Sequence, residues 1–335
     1  MGLSALTRMA ASAACIVVVA SLLAASAWAP GKHTRRFFQR GVSFTAERRI
    51  RYGSPDSIEM LKRLPAFGVD AIALIPYGFS RGNPLEIRTA STRSWESDAG
   101  IATLAAQARQ LGIKVMLKPH VWRVQPEKVS SPETMRLWFA EYTRFLEHYA
   151  RLAVRIDAGL FCIGVELGPL TREETQWRTL IRKVRAIYDG PLVYAANFGE
   201  EFERIRFWDA LDYIGLDNYY PLTEDYSAAA LVEKVETVQR RFRKPVLFTE
   251  AGFSSAEGAH KTPWADETAN PVSLEEQTRC YAALLQAFYA KEWFHGVYWW
   301  KVGTNGYGGP DDNSMTPWGK PAMDVVKKYY TTGRR

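Results

Sequence analysis

Two glutamates in this 335-residue chain directly follow short apolar runs. Glu166 closes the run Leu160 to Val165, and Glu250 closes the run Val246 to Thr249. A carboxylate placed after a buried run is costly unless it is paired or used. Two such groups facing each other about 5 Å apart suit retaining hydrolysis of a glycosidic bond. One is then the nucleophile, and the other is the acid that later serves as base. An apolar setting raises the acid's pKa and keeps it protonated near neutral pH. The plainer use of either glutamate is a salt bridge at a strand end. No Cys-x-x-Cys pair or His/Cys cluster suggests a metal, and the chemistry needs no cofactor.

The elements that must position these groups can be read from the alternation of the chain. Short apolar runs lie at Gly41–Ala46, Ala71–Pro76, Lys114–Pro119, Leu160–Val165, Leu192–Ala196, Tyr213–Asn218, Val246–Glu250 and Val297–Lys301. Such runs read as buried parallel strands. Helical segments separate them, at Ser57–Phe67, Ala99–Leu111, Pro132–Leu152, Thr171–Asp189, Ala228–Arg243, Ser273–Lys291 and Asp324–Tyr330. Ser131 and Pro132 form a start signal, and Gly112 is a stop signal. This alternation predicts an α/β fold, a (β/α)₈ TIM barrel forming a single domain over residues 41–330. An open doubly wound sheet is the runner-up, but the chain lacks the Gly-rich nucleotide loop that usually marks one. In a barrel the reactive groups stand at the C-terminal strand ends. Strands 4 and 7 face each other across its mouth, and so would Glu166 and Glu250.

Other strand ends supply a supporting set. Lys118 and His120 share a face by alternation after strand 3. Lys118 can donate to sugar hydroxyls or pair with a carboxylate, and His120 can contact sugar or make a structural hydrogen bond. Trp122, in the loop that follows, can extend a cleft. Tyr220 or Tyr219 can hydrogen-bond Glu250, and alternation lets only one of them face the mouth; Tyr220 is the expected one. Trp299 and Trp300 pose the same choice, and Trp299 is the expected sugar platform. Glu200, Glu201 and Glu203 follow no buried run and read as a solvated loop.

The ordered set of strand ends resembles glycoside hydrolase family 113, the β-mannanases, among the clan A retaining glycosidase barrels. The carrying residues are Gly41-Val42-Ser43, Lys118-Pro119-His120, Gly164-Val165-Glu166-Leu167, Asp217-Asn218-Tyr219-Tyr220-Pro221, Thr249-Glu250-Ala251-Gly252, Tyr298-Trp299-Trp300 and Thr316-Pro317-Trp318-Gly319-Lys320-Pro321. The resemblance spans about residues 40–330. It implies Glu166 as acid/base, Glu250 as nucleophile, and β-1,4-mannan or glucomannan as substrate. One position departs. Most of the clan places Asn before the acid/base, where it bonds the sugar 2-hydroxyl, and this chain has Val165. Asn197 or Asn218 is the candidate replacement donor. The departure leaves open another β-glycan, an envelope polysaccharide, or a carbohydrate-binding protein with a vestigial site.

Composition sets the outer limits. With 47% hydrophobic and 24% charged residues the chain is globular rather than disordered. Its net charge of +7 sits in the ends: Arg8, then Lys32, Arg35, Arg36 and Arg40, then Lys327, Lys328, Arg334 and Arg335 against Asp324. Without these ends the body carries about −1. That excludes the basic stripe of a nucleic-acid enzyme. Residues 1–29 read as a signal peptide or an N-terminal membrane anchor, with Met9 to Ala27 as the apolar run and Ala27-Trp28-Ala29 as a cleavage site. Residues 30–40 read as a basic linker and 331–335 as a tail. The expectation is an exported protein, periplasmic or extracellular, whose membrane association would run through the N-terminus only. Cys162 reads as a core residue.

Overall fold

The computed structural model describes residues 38–80, 86–122, 128–266 and 268–332. The expected leader, 1–29, and most of the expected linker lie outside the described residues. The linker's last residues do not behave as one: Gln39 and Arg40 already belong to the first strand, and Arg40 pairs with Asp70 at 2.7 Å. No helix among the described residues is long and apolar enough to cross a membrane.

Eight parallel strands close into a barrel: β1 (Gln39–Thr45), β2 (Ala71–Leu74), β3 (Lys114–Leu117), β4 (Leu160–Val165), β5 (Leu192–Asn197), β6 (Ile214–Asn218), β7 (Val246–Ala251) and β8 (Phe294–Gly303). Each pairs with its sequence neighbours, and β1 closes the ring on β8. The helices are α1 (Pro55–Arg63), α2 (Asp98–Gln110), α3 (Pro132–Arg155), α4 (Glu174–Arg185), α5 (Glu200–Arg204), α6 (Ala229–Phe242), α7 (Leu274–Phe288) and α8 (Pro321–Thr331). Their starts follow capping chemistry. Ser54, Ser131 and Ser273 each accept a backbone N–H of the first turn, and Ser131 with Thr134 completes a capping box. The helix expected from Thr171 begins later, because Gly168–Arg172 forms a 3₁₀ turn first.

Strand alternation sorts the core into two layers. Ala71, Ala73, Met116, Leu160, Cys162, Val193, Ala195 and Leu247 fill the barrel interior. Their neighbours, including Ile72, Phe161, Ile163, Phe248 and Val297, pack outward against the helices. Toward the C-terminal strand ends the interior turns polar, with Lys118, Asp217 and Thr249 all completely buried. Cys162 and Cys280 are free thiols in the core.

A small outer sheet was not foreseen. Tyr77–Ser80 pairs parallel with His120–Trp122 and antiparallel with Ile87–Arg88. The chain enters the first two of these strands directly after Pro76 and Pro119, which end the ladders of β2 and β3. The sheet lies on α3: the Arg144 guanidinium donates to the Ile87 carbonyl, and a Cβ at Gly78 would meet the Phe145 ring at 2.5 Å.

Candidate active site

A cleft of about 430 Å³ opens at the C-terminal strand ends. Glu166, Glu250, His120, Trp122, Asn197, Tyr219 and Trp300 line it, together with Tyr77, Phe198, Trp264, Asp266 and Met315.

Local irregularities aim both glutamates into this space. On β7 the side chains Leu247 and Thr249 point inward, so strict alternation would send Glu250 outward. The register with β6 slips between Phe248 and Glu250, and this bulge turns Glu250 to the mouth. The register of β4 with β5 slips likewise between Cys162 and Val165. Glu166 then takes a left-handed backbone conformation, with φ 48°. That is an unusual conformation for a residue with a side chain, and such positions cluster at functional sites.

The surroundings of Glu250 form a cage. Lys118 Nζ donates to its Oε1 at 2.5 Å, and the Tyr219 hydroxyl donates to its Oε2 at 2.7 Å. Lys118 also reaches both oxygens of Asp217, at 3.1 and 3.2 Å. Thr249 donates its hydroxyl to Asp217 Oδ1 at 2.6 Å. Burial alone would discharge Lys118, but Asp217 and Glu250 outweigh it and hold the ammonium above its ordinary range. Burial and the nearby Glu250 push the Asp217 carboxyl up, against the pull of Lys118 and Thr249.

Glu166 differs. No ion pair or side-chain hydrogen bond engages its carboxyl among the described residues, and water in the cleft can reach it. Although Glu166 is exposed to the cleft, the surrounding protein still costs its charged form some hydration, and Asp217 and Glu250 add negative potential. These effects raise its pKa above the ordinary carboxylate range, with Lys118 opposing them. His120 is held down to about 4, chiefly by burial, so it faces the cleft as a neutral imidazole.

Several expected sugar contacts are corrected. Lys118 is completely buried beneath Glu250 and cannot reach a sugar; it takes the carboxylate-pairing role. Tyr219, not Tyr220, holds Glu250. The Tyr220 hydroxyl instead accepts the Gly199 N–H and donates to Glu203. Trp299 is completely buried and stacks on Tyr281 at 4.0 Å, while Trp300 faces the cleft. Val297 does share a face with Trp299, as expected, but that face packs against the helices. Asn218 is buried and absent from the cleft wall, because Asp217 takes the inward position on β6. His120, Trp122 and Asn197 stand in the cleft.

Two contributors had not been singled out. Asp217 anchors Lys118 from within the barrel, 99 residues away in sequence. Glu201, read as part of a solvated loop, lies on α5 and is largely enclosed. It accepts the Tyr194 hydroxyl at 2.5 Å and the Asn197 N–H at 3.2 Å, while Tyr194 accepts the Leu167 N–H at 2.9 Å. One carboxylate thus braces the strand ends that carry Glu166 and Asn197. The signal available in the sequence was Glu201's place four residues after Asn197.

Comparison with known proteins decides the family. The model of Glycoside Hydrolase Family 113 matches residues 42–316. The chain belongs to glycoside hydrolase family 113. Among solved structures, this family 113 chain is similar to the β-mannanase of Alicyclobacillus acidocaldarius in complex with ManMIm. The identity is 31%, with 88% of this chain and 98% of that one covered, at a TM-score of 0.80. A family 113 β-1,4-mannanase solved as a complex is 25% identical over 89% of this chain and 100% of its own, at 0.79. A β-glucuronidase from Faecalibacterium prausnitzii, 15% identical with a TM-score of 0.61, shares the barrel fold and is about twice as long, 49% of it being covered. No curated protein sequence matches the chain significantly. The family and the paired carboxylates make this chain a glycoside hydrolase.

Proposed function

We propose that this glycoside hydrolase cleaves β-1,4-linked mannan or glucomannan with retention of anomeric configuration, acting as an endo-β-1,4-mannanase. The observation that carries the mechanism is the unequal setting of two carboxylates in one cleft. Glu250, fixed by a cation and a phenol, attacks the anomeric carbon. Glu166, its pKa raised, donates its proton to the departing glycosidic oxygen. A glycosyl ester on Glu250 and a free sugar end result. Glu166, now ionised, takes a proton from water as that water attacks the ester, which releases the second sugar and restores both carboxyls. The substrate assignment is supported by the similar β-mannanases.

Asn197 is the side chain we assign to the sugar 2-hydroxyl. Val165 packs in the barrel interior and offers no donor, whereas Asn197 lines the cleft next to the strand that carries Glu166. The same departure supports a second reading, in which the mechanism acts on another β-glycan, such as an envelope polysaccharide. Export directed by residues 1–29, as a signal peptide or an N-terminal anchor, fits either substrate.

The test is product analysis on a panel of β-linked polysaccharides, with Glu250→Ala as control. Oligosaccharides released from mannan, and lost in the variant, are expected. Release from a different glycan alone would replace the substrate. A folded protein that releases nothing from any glycan would overturn the hydrolase reading.

A further inference from the structure

The outer sheet presents one face to the helices and one to solvent. Gly78 and Val121 form the inner face and are buried. Alternation places Tyr77 and Phe79 of one strand, and His120 and Trp122 of the other, on the opposite face. The register sets them in rows, Tyr77 beside His120 and Phe79 beside Trp122. The first row is in the cleft. The second row is the next step outward, roughly 7 Å along the strands.

This second row carries exposed aromatic surface: Trp122 is 49% exposed and Phe79 is 39% exposed. A single exposed aromatic would need no explanation. Here two lie in register and continue an aromatic wall that begins beside the catalytic carboxyls. The Trp122 ring leans back over that wall, 5.9 Å from the Tyr77 ring and 6.4 Å from His120. Phe79 lies outside the cleft lining and is the next aromatic on that face. The platform is rigidly mounted. Gly78 packs on Phe145, Arg144 ties down the Ile87 carbonyl, and the Tyr149 hydroxyl accepts the Ala90 N–H. Side chains carried on braced strands hold a ligand more accurately than loop residues do.

We infer that Phe79 and Trp122 form a distal saccharide-binding platform, which takes a sugar of the bound polysaccharide beyond those that fill the cleft. The occupant is the same β-linked chain, because the platform is the next row of the sheet face whose first row, Tyr77 and His120, lines the cleft. A pyranose ring offers an apolar C–H face to an aromatic ring and keeps its hydroxyls in water, so a half-exposed ring is a suitable partner. The inference rests on the hydrolase reading above. It adds that affinity and turnover rise with chain length until this platform is filled.

The experiment measures kcat/KM on a ladder of β-1,4-manno-oligosaccharides and on mannan, for wild type, Phe79→Ala, Trp122→Ala and Phe79→Tyr. For Phe79→Ala the expected result is a three- to ten-fold fall on mannan and the longest oligosaccharides, about the effect of losing one modest contact, with no change on the shortest one cleaved. Phe79→Tyr should restore wild-type values. Trp122→Ala, which also removes part of the cleft wall, should lose activity on every length, with the largest loss on the longest substrates. A Phe79→Ala enzyme that is unchanged on every length would overturn the platform, as would an equal loss on all lengths. A wild type with no activity on any member of the ladder or on mannan would overturn the substrate reading instead. Melting temperature separates a folding defect from either result.

Discussion

The ends of β4 and β7 carry the same residue type into the same cleft and treat it in different ways. At β7, Glu250 is nearly buried, and each of its oxygens accepts a donor, Lys118 on one and Tyr219 on the other. At β4, Glu166 stands in a left-handed backbone conformation with its carboxyl unpaired among the described residues. The lesson is that the barrel distributes its positive charge unevenly. The Lys118 ammonium, in the interior layer near the mouth, lies under Glu250 and is anchored by Asp217. The carboxylate that the proposed mechanism uses as nucleophile is held in one direction by fixed donors. A carboxyl that, in the proposed mechanism, must hold and then release a proton stands open to the cleft, partly desolvated and beside negative neighbours instead.

The largest expected effect comes from removing the caged member. Glu250→Ala should lower kcat on polysaccharide by on the order of 10⁴-fold or more, measured as reducing ends released. Glu166→Gln sharpens the contrast. It should cost about 10²- to 10⁴-fold on polysaccharide, but far less in cleavage of aryl glycosides whose leaving group needs no proton. Equal losses on both substrate types would break the assignment. The pH profile probes the same difference. The proposed mechanism needs Glu166 protonated, and its pKa is raised, so activity should persist above the ordinary carboxylate range and fall as pH rises through the Glu166 pKa. In an aryl glycoside assay limited by the first step, that alkaline limb should vanish in Glu166→Gln.

Smaller effects test the cage and the brace. Tyr219→Phe removes one hydrogen bond to a charged group, worth about 1.5–3 kcal/mol, and should lower kcat by about 10- to 100-fold. Tyr220→Phe, which loses contacts only to Gly199 and Glu203, should leave kcat near wild type. Glu201→Gln should be milder than Tyr219→Phe, about five-fold in kcat, corresponding to about 1 kcal/mol of positioning at the β4 and β5 ends.

Much of this arrangement was legible in the sequence. The buried parallel strands are continuous apolar runs, so their order and number could be read directly, and with them Glu166 and Glu250 at opposite strand ends. Facing was harder to read. Trp299 and Trp300 are identical in type, and both neighbours of the pair are compatible with either face. Only the outward packing of Val297 and the stack on Tyr281 distinguish them. Tyr219 and Tyr220 were ambiguous for the same reason. Carboxylate pairing was one of the two uses open to Lys118, but its partner Asp217 is remote in sequence, and no local pattern links them. The bulges that aim both glutamates leave no pattern in residue type. The outer sheet was missed because its strands, Tyr77–Ser80, Ile87–Arg88 and His120–Trp122, are too short to establish a period. Glu201 was misread because a short helix encloses a carboxylate that its polar neighbours made look solvated.

The most direct test of this division of labour is to trap the intermediate. The enzyme would be mixed with an activated 2-deoxy-2-fluoro β-manno-oligosaccharide, whose glycosyl ester hydrolyses slowly, then digested and analysed by mass spectrometry. The predicted result is one sugar ester, on Glu250, whose formation Glu250→Ala abolishes. An ester on Glu166, or turnover that gives the inverted anomer with no ester at all, would contradict the account.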